Sequence, residues 1–199
     1  MRTLCWSNAK TVDYVEKELR NGKVVLAEGD TVLGLLADVS EKGHTQLDHI
    51  KGRSKKPYLV LVGDSKKALK FIAKDESKSF QIEKLMNICW PGPATLIFRA
   101  KAEGTIALRV PDHVGLLQLL QRFEGLFSTS ANLAGGHVPS AVEQVDSTIV
   151  DSVACVVMND VHEKPQSHVP STIIDCTGER LVVVREGAFD ARKLMDMHD

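Results

Sequence analysis

Short apolar runs that begin and end abruptly constrain this chain most. Residues 23–27 (KVVLA), 59–62, 95–99, 106–110, 126–129, 154–158, 172–175 and 181–185 are each rich in Val, Ile, Leu or Phe. All are too short for buried helices and most abut Gly, Pro, Asn or Ser, so each predicts a strand. Helical spacing interrupts them: Val12, Val15 and Leu19 before Gly22 predict a helix over residues 9–20. Leu47 and Ile50 predict another, as do residues 68–72, 80–89, 114–123 and 190–197. Trp90-Pro91-Gly92-Pro93 must stop the helix before it, because two prolines cannot continue one. Strands and helices interleave, yet several strands follow one another directly. That predicts an α/β or α+β fold on a mixed sheet, not a regular doubly wound one. Residues 159–169, polar and containing Pro165, read as an exposed loop between strands.

At 199 residues with 43% hydrophobic content, the chain suits one domain over residues 1–199. No apolar run is long enough to span a bilayer. The start turns polar at once, unlike a signal peptide. Cys5, Cys89, Cys155 and Cys176 are widely separated and form no C-x-x-C pair. Reduced, mostly buried thiols in a cytoplasmic protein are therefore expected, and neither a disulfide framework nor a zinc site. His162 and His168 match no helical zinc spacing either.

A net charge of -1 makes the local run Lys51-Gly52-Arg53-Ser54-Lys55-Lys56-Pro57 notable. Such a loop suits a multiply charged anion such as a nucleoside triphosphate; a solvated basic turn is the other reading. There is no Walker loop and no G-x-G-x-x-G, so any nucleotide site is built otherwise. Polar candidates cluster at strand ends: Asp30-Thr31, Arg109 before Pro111 and His113, residues 128–132 (STSAN), Ser171-Thr172 and Arg185. The small residues at 128–132 let a phosphate approach the main chain, or form a helix cap. Arg109 and Arg185, flanked by apolar residues, need an anionic partner, either a ligand or an internal carboxylate. Ser130 has no nucleophile elbow around it, which disfavours a hydrolase triad.

In their order, these motifs resemble the YrdC-like family, the threonylcarbamoyl-AMP synthases. The resemblance covers about residues 8–188. It is carried by Asp30-Thr31-Val32-Leu33-Gly34-Leu35, Lys51-Gly52-Arg53 with Lys56-Pro57, residues 90–95 (WPGPAT), Arg109-Val110-Pro111-Asp112-His113, residues 128–132, and Pro170-Ser171-Thr172 through Arg185 and Gly187. It implies a twisted mixed sheet flanked by helices, with a positively charged concave cavity. It implies synthesis of threonylcarbamoyl-adenylate and pyrophosphate from L-threonine, bicarbonate and ATP with Mg2+, for threonylcarbamoyladenosine modification of tRNA by partner proteins. Direct contact with tRNA is a further possibility. Carried over residue by residue, Lys51 and Arg53 are the catalytic cations. Lys51, Arg53, Lys56, Thr105, Ser130, Asn132, Val138 and Arg185 fall around ATP. Thr31, Arg109, Ser128 and Ser171 fall around threonine. No resident metal site is implied.

The family's first turn reads P-T-D-T-V-Y-G-L, whereas this chain has Glu28-Gly29-Asp30-Thr31-Val32-Leu33-Gly34-Leu35. Leu33 stands beside Thr31, so the missing tyrosine is expected to weaken threonine binding. The altered turn also leaves open a paralogue that binds RNA or a nucleotide without turnover. A carbamoyl-transfer domain is a minor third reading.

Overall fold

The computed structural model describes residues 2–52, 57–74, 80–160 and 167–198. Arg53 and Lys56, two of the expected ATP-binding cations, lie outside the described residues.

The strands are β1 (Thr3–Cys5), β2 (Val25–Ala27), β3 (Gly34–Asp38), β4 (Leu59–Leu61), β5 (Ala94–Arg99), β6 (Thr105–Arg109), β7 (Leu126–Ser130), β8 (Val156–Met158), β9 (Thr172–Asp175) and β10 (Val182–Arg185). All of them join one twisted sheet in the order β1-β8-β2-β3-β7-β4-β6-β5-β9-β10. The sheet is mixed: β4 runs parallel to β6 and β5 to β9, while β3–β7, β4–β7 and β5–β6 are antiparallel. The apolar runs thus become strands as their residues predict. Two strands escape that reading. β1 is only three residues long, and β3 (GLLAD) carries Leu and Ala, which are not strand formers by preference.

Helices α1 (Thr11–Arg20), α2 (Glu41–Lys51), α3 (Ser65–Leu69), α4 (Phe80–Cys89), α5 (Val114–Leu120) and α6 (Ser147–Ser152) flank the sheet. The α1 stripe Val12, Val15 and Leu19 packs with Leu116, Leu119 and Leu120 of α5. Leu47 and Ile50 of α2 and Ile149 of α6 pack on Leu26, Leu35 and Val156. Leu85, Met86 and Cys89 of α4 pack on Leu96, Phe98 and Leu108. The short polar helix α6 has no sequence-level prediction behind it. The expected C-terminal α-helix is a 3-10 helix over Ala191–His198.

Three caps fix helix ends near the site. Ser40 Oγ accepts from Gly43 N at 3.1 Å to start α2, and Gly52 ends it at φ 60°, a left-handed conformation that glycine adopts without a Cβ penalty. His113 caps α5, its Nδ1 accepting from Leu116 N at 3.1 Å, while Nε2 meets Asn159 Oδ1 at 2.8 Å. Cys89 and Cys155 are buried free thiols, pushed up by desolvation to about 12 and about 11. Among the described residues no helix is long and apolar enough to cross a membrane.

Candidate active site

A cavity of about 270 Å³ opens over the middle strands. It is built by the two-residue period of the sheet. Side chains at i and i+2 share a face, and here that face carries small or polar residues where the other carries the core. Ser128 and Ser130 on β7, Ala107 and Arg109 on β6, and Ser171 beside Ile173 on β9 line the cavity as such pairs. Gly34 lies opposite Ser130 and Leu59 opposite Ser128, so neighbouring strands supply a continuous floor. Thr31, Thr95, Val138, Pro170 and Arg185 complete the wall.

The first turn is fixed from outside. Ser167 N and His168 N donate to the carbonyls of Asp30 and Thr31, at 3.2 and 2.9 Å. Gly187 lets the chain pass tightly behind Ser171: a Cβ there would overlap Pro170 O and stand 2.5 Å from Thr172 N. Arg185, just upstream, donates from Nε and Nη2 to Ser171 O at 3.2 and 2.6 Å. Thr95 Oγ1 and Ser171 Oγ share a buried hydrogen bond of 2.8 Å. The strand opening at residues 94–95 pairs with β9 at residues 172–173, which brings these two hydroxyls together.

Arg109 is the buried cation of the site. Its side chain is 6% exposed, and Nη1 stands 3.2 Å from Asp30 Oδ1 and 3.3 Å from Asp30 Oδ2. Asp30 Oδ2 also accepts from Asp112 N at 3.0 Å. Yet Arg109 Nε and Asp30 Oδ1 are buried without a hydrogen-bond partner. Burial lowers the Arg109 pKa and Asp30 partly offsets it; burial also lowers that of Arg185, with the Arg109 charge adding to the effect. Two guanidinium groups that feel each other therefore share one cavity, and among the described residues Asp30 is the carboxylate that contacts Arg109.

Lys51 has another environment. At the end of α2 it is 4% exposed, and its ammonium donates to Ser130 O at 2.7 Å, to Asn132 O and to Asn132 Oδ1 at 3.3 Å. The carry-over places its charge against the triphosphate; here the ammonium bonds the 130–132 segment, to which the expected ATP-side residues Ser130 and Asn132 belong.

The structure thus gathers Thr31, Arg109, Ser128, Ser130, Val138, Ser171 and Arg185 at one cavity. Asn132 adjoins it, its Oδ1 close to Ser130 Oγ. Thr105 is not brought in. It sits on the same strand face as Ala107 and Arg109 but at the far, exposed start of β6, beyond the cavity. Leu33 is not a wall residue either. It is fully buried among Leu35, Leu47, Ile50 and Tyr58, so the expectation that it borders the threonine site is corrected. Thr95 and Asp30 are the residues that the carried-over site omitted. A threonine opening a strand two residues after Pro93, and an acid before Thr31, were the available signals.

The Sua5/YciO/YrdC family model, described as "Telomere recombination", matches residues 17–187. The chain belongs to that family. A threonylcarbamoyl-AMP synthase of Photorhabdus laumondii is 33% identical over 174 residues, covering 81% of this chain and 89% of the relative. The structure of P. abyssi Sua5 complexed with L-threonine matches with a TM-score of 0.84 at 24% identity, covering 98% of this chain. This chain spans 60% of that protein's length. E. coli YciO matches with a TM-score of 0.77 at 21% identity, covering 96% of this chain and 97% of YciO. Family membership and the likeness to the synthase point to a transferase of the nucleotidyltransferase type.

Proposed function

We propose that the cavity makes threonylcarbamoyl-AMP from L-threonine, bicarbonate and ATP. The observation that carries this reading is the incomplete Arg109–Asp30 pair beside Arg185. A buried guanidinium with an unpartnered Nε is costly unless a ligand completes it, and a carboxylate matches its planar fork. In this reading Arg109 takes the threonine carboxylate, with Thr31, Ser128 and Ser171 around the rest of the amino acid. Arg185, Ser130, Asn132 and Val138 border the ATP, and Arg53 and Lys56 supply further charge to its phosphates. The threonine amine combines with bicarbonate to give a carbamate and water. A carbamate oxygen then attacks the α-phosphorus, and pyrophosphate leaves. No side chain need form a covalent intermediate, so catalysis is positioning and charge stabilisation.

Magnesium would arrive with ATP as part of the substrate. Among the described residues no three His, Cys, Asp or Glu gather around a metal position, and a hydrated Mg2+ held mainly by phosphate oxygens needs no such cage. Partner proteins would pass the threonylcarbamoyl group to tRNA, in the cytoplasm.

The rival reading, a nucleotide- or RNA-binding paralogue, drew on the altered first turn. Its three departures do not line the cavity. Glu28 accepts from Asn159 N at 2.7 Å, Gly29 packs toward Leu116, and Leu33 is in the core. Those substitutions leave Thr31 and Arg109 in place, which favours the synthase. The test is pyrophosphate release with each substrate omitted in turn. Release requiring threonine and bicarbonate together is expected; release from ATP alone, or none, would count against the proposal.

A further inference from the structure

The geometry points to Lys51 as a positioning residue that shapes the nucleotide side of the cavity from behind and does not touch phosphate. A buried ammonium must find oxygen partners, because its desolvation is otherwise prohibitive. Lys51 finds them in one short segment: Ser130 O, Asn132 O and Asn132 Oδ1. Its own main chain joins the same brace, since Ala134 N donates to Lys51 O at 3.2 Å. The consequences reach the cavity wall. With Oδ1 drawn toward Lys51 and Ser130 Oγ, the Asn132 amide nitrogen is left to donate to Gly136 O at 2.7 Å and Leu133 O at 3.0 Å. One lysine thus sets the carbonyl directions at 130 and 132, the Asn132 rotamer and the Ser130 hydroxyl, and Ser130 lines the cavity.

The helix end makes this possible. Lys51 is the last residue of α2, and the helix closes at the left-handed Gly52. Neighbours in sequence can therefore take separate roles: Lys51 inward as a brace, and the cations after Gly52 for phosphate. The kinetic consequence rests on the synthase reading; the placement of the ammonium does not.

The test has two arms. In the first, the intact protein is treated with acetic anhydride with and without ATP and magnesium, and each lysine is followed by mass. Lys51 should react at least about tenfold more slowly than exposed Lys10 and Lys101 in both conditions, because reaction needs local opening. Fast modification of Lys51 that ATP blocks would overturn the inference. In the second arm, Lys51→Met, Asn132→Ala and the double variant are compared. Lys51→Met should raise the KM for ATP about tenfold and leave that for threonine within about twofold. The double variant should be no worse than Lys51→Met, because both changes remove one brace; independent, additive penalties would contradict it. If the wild-type protein forms no adenylate, the synthase reading fails and the acetylation arm still decides the role of Lys51.

Discussion

Two buried cations border this cavity, and they differ in whether the protein alone satisfies them. Lys51 at the α2–β7 side holds three oxygens of one neighbouring segment. Arg109 at the β6 side holds Asp30 through Nη1 while its Nε, and Asp30 Oδ1, lack hydrogen-bond partners. Both are charges taken out of water, a step that costs several kcal/mol unless compensated. Lys51 draws that compensation from the fold; Arg109 is left with capacity for something else. Among basic residues at a cavity, the one whose bonds remain incomplete is the better candidate to meet substrate.

The largest effect should come from Arg109→Lys, which keeps the charge and removes the fork. Catalytic efficiency for threonine should fall by about a hundredfold or more, since an ammonium cannot reproduce bidentate geometry. A loss of less than threefold in steady-state assays would erase the contrast with Lys51. Arg53→Ala should cost a similar factor in turnover, on the order of a hundredfold, with melting temperature unchanged. Wild-type turnover in that variant would make the basic run a solvated turn.

Thr95→Val should act more modestly. It removes the shorter of two contacts to Ser171 Oγ, leaving Arg185 Nη2 at 3.4 Å, at a cost of about 1–3 kcal/mol. The KM for threonine should rise roughly tenfold while that for ATP moves little, because Ser171 stands on the amino-acid side of the proposed site. A change confined to the ATP constant would reverse the assignment of the two sides.

Leu33→Tyr sharpens the comparison from the other direction. The sequence alone suggests that restoring the family tyrosine improves threonine binding. The packing around Leu33 predicts instead an overpacked core, a loss of about 1–3 kcal/mol and a melting temperature lower by several degrees. The threonine constant should stay within about twofold. Tighter threonine binding with unchanged stability would show that Leu33 faces the site after all.

That reversal shows what the sequence could carry. Short β-branched runs such as those at β8 and β10 state their own structure. The turn at residues 28–31 looked polar and local, but β3 follows it directly and pulls Leu33 into the core. The strand period puts Thr105, Ala107 and Arg109 on one face of β6. It could not show that two residues of strand, about 7 Å, carry Thr105 beyond the cavity. Nor can charge in a basic run show which lysine turns inward; that depends on where α2 ends and where Gly52 bends. The partnership of Thr95 with Ser171 depends on the β5–β9 register, which joins residues far apart in the chain.

The central claim is that Arg109 and Asp30 leave room for a carboxylate ligand. Calorimetric titration of the intact protein with L-threonine and with L-threoninol, which has an alcohol in place of the carboxylate, tests it most directly. Threonine should bind, and threoninol should bind more weakly by on the order of a hundredfold, the worth of a charge-assisted fork. Equal affinity for the two, or undiminished threonine binding by Arg109→Lys, would contradict the account.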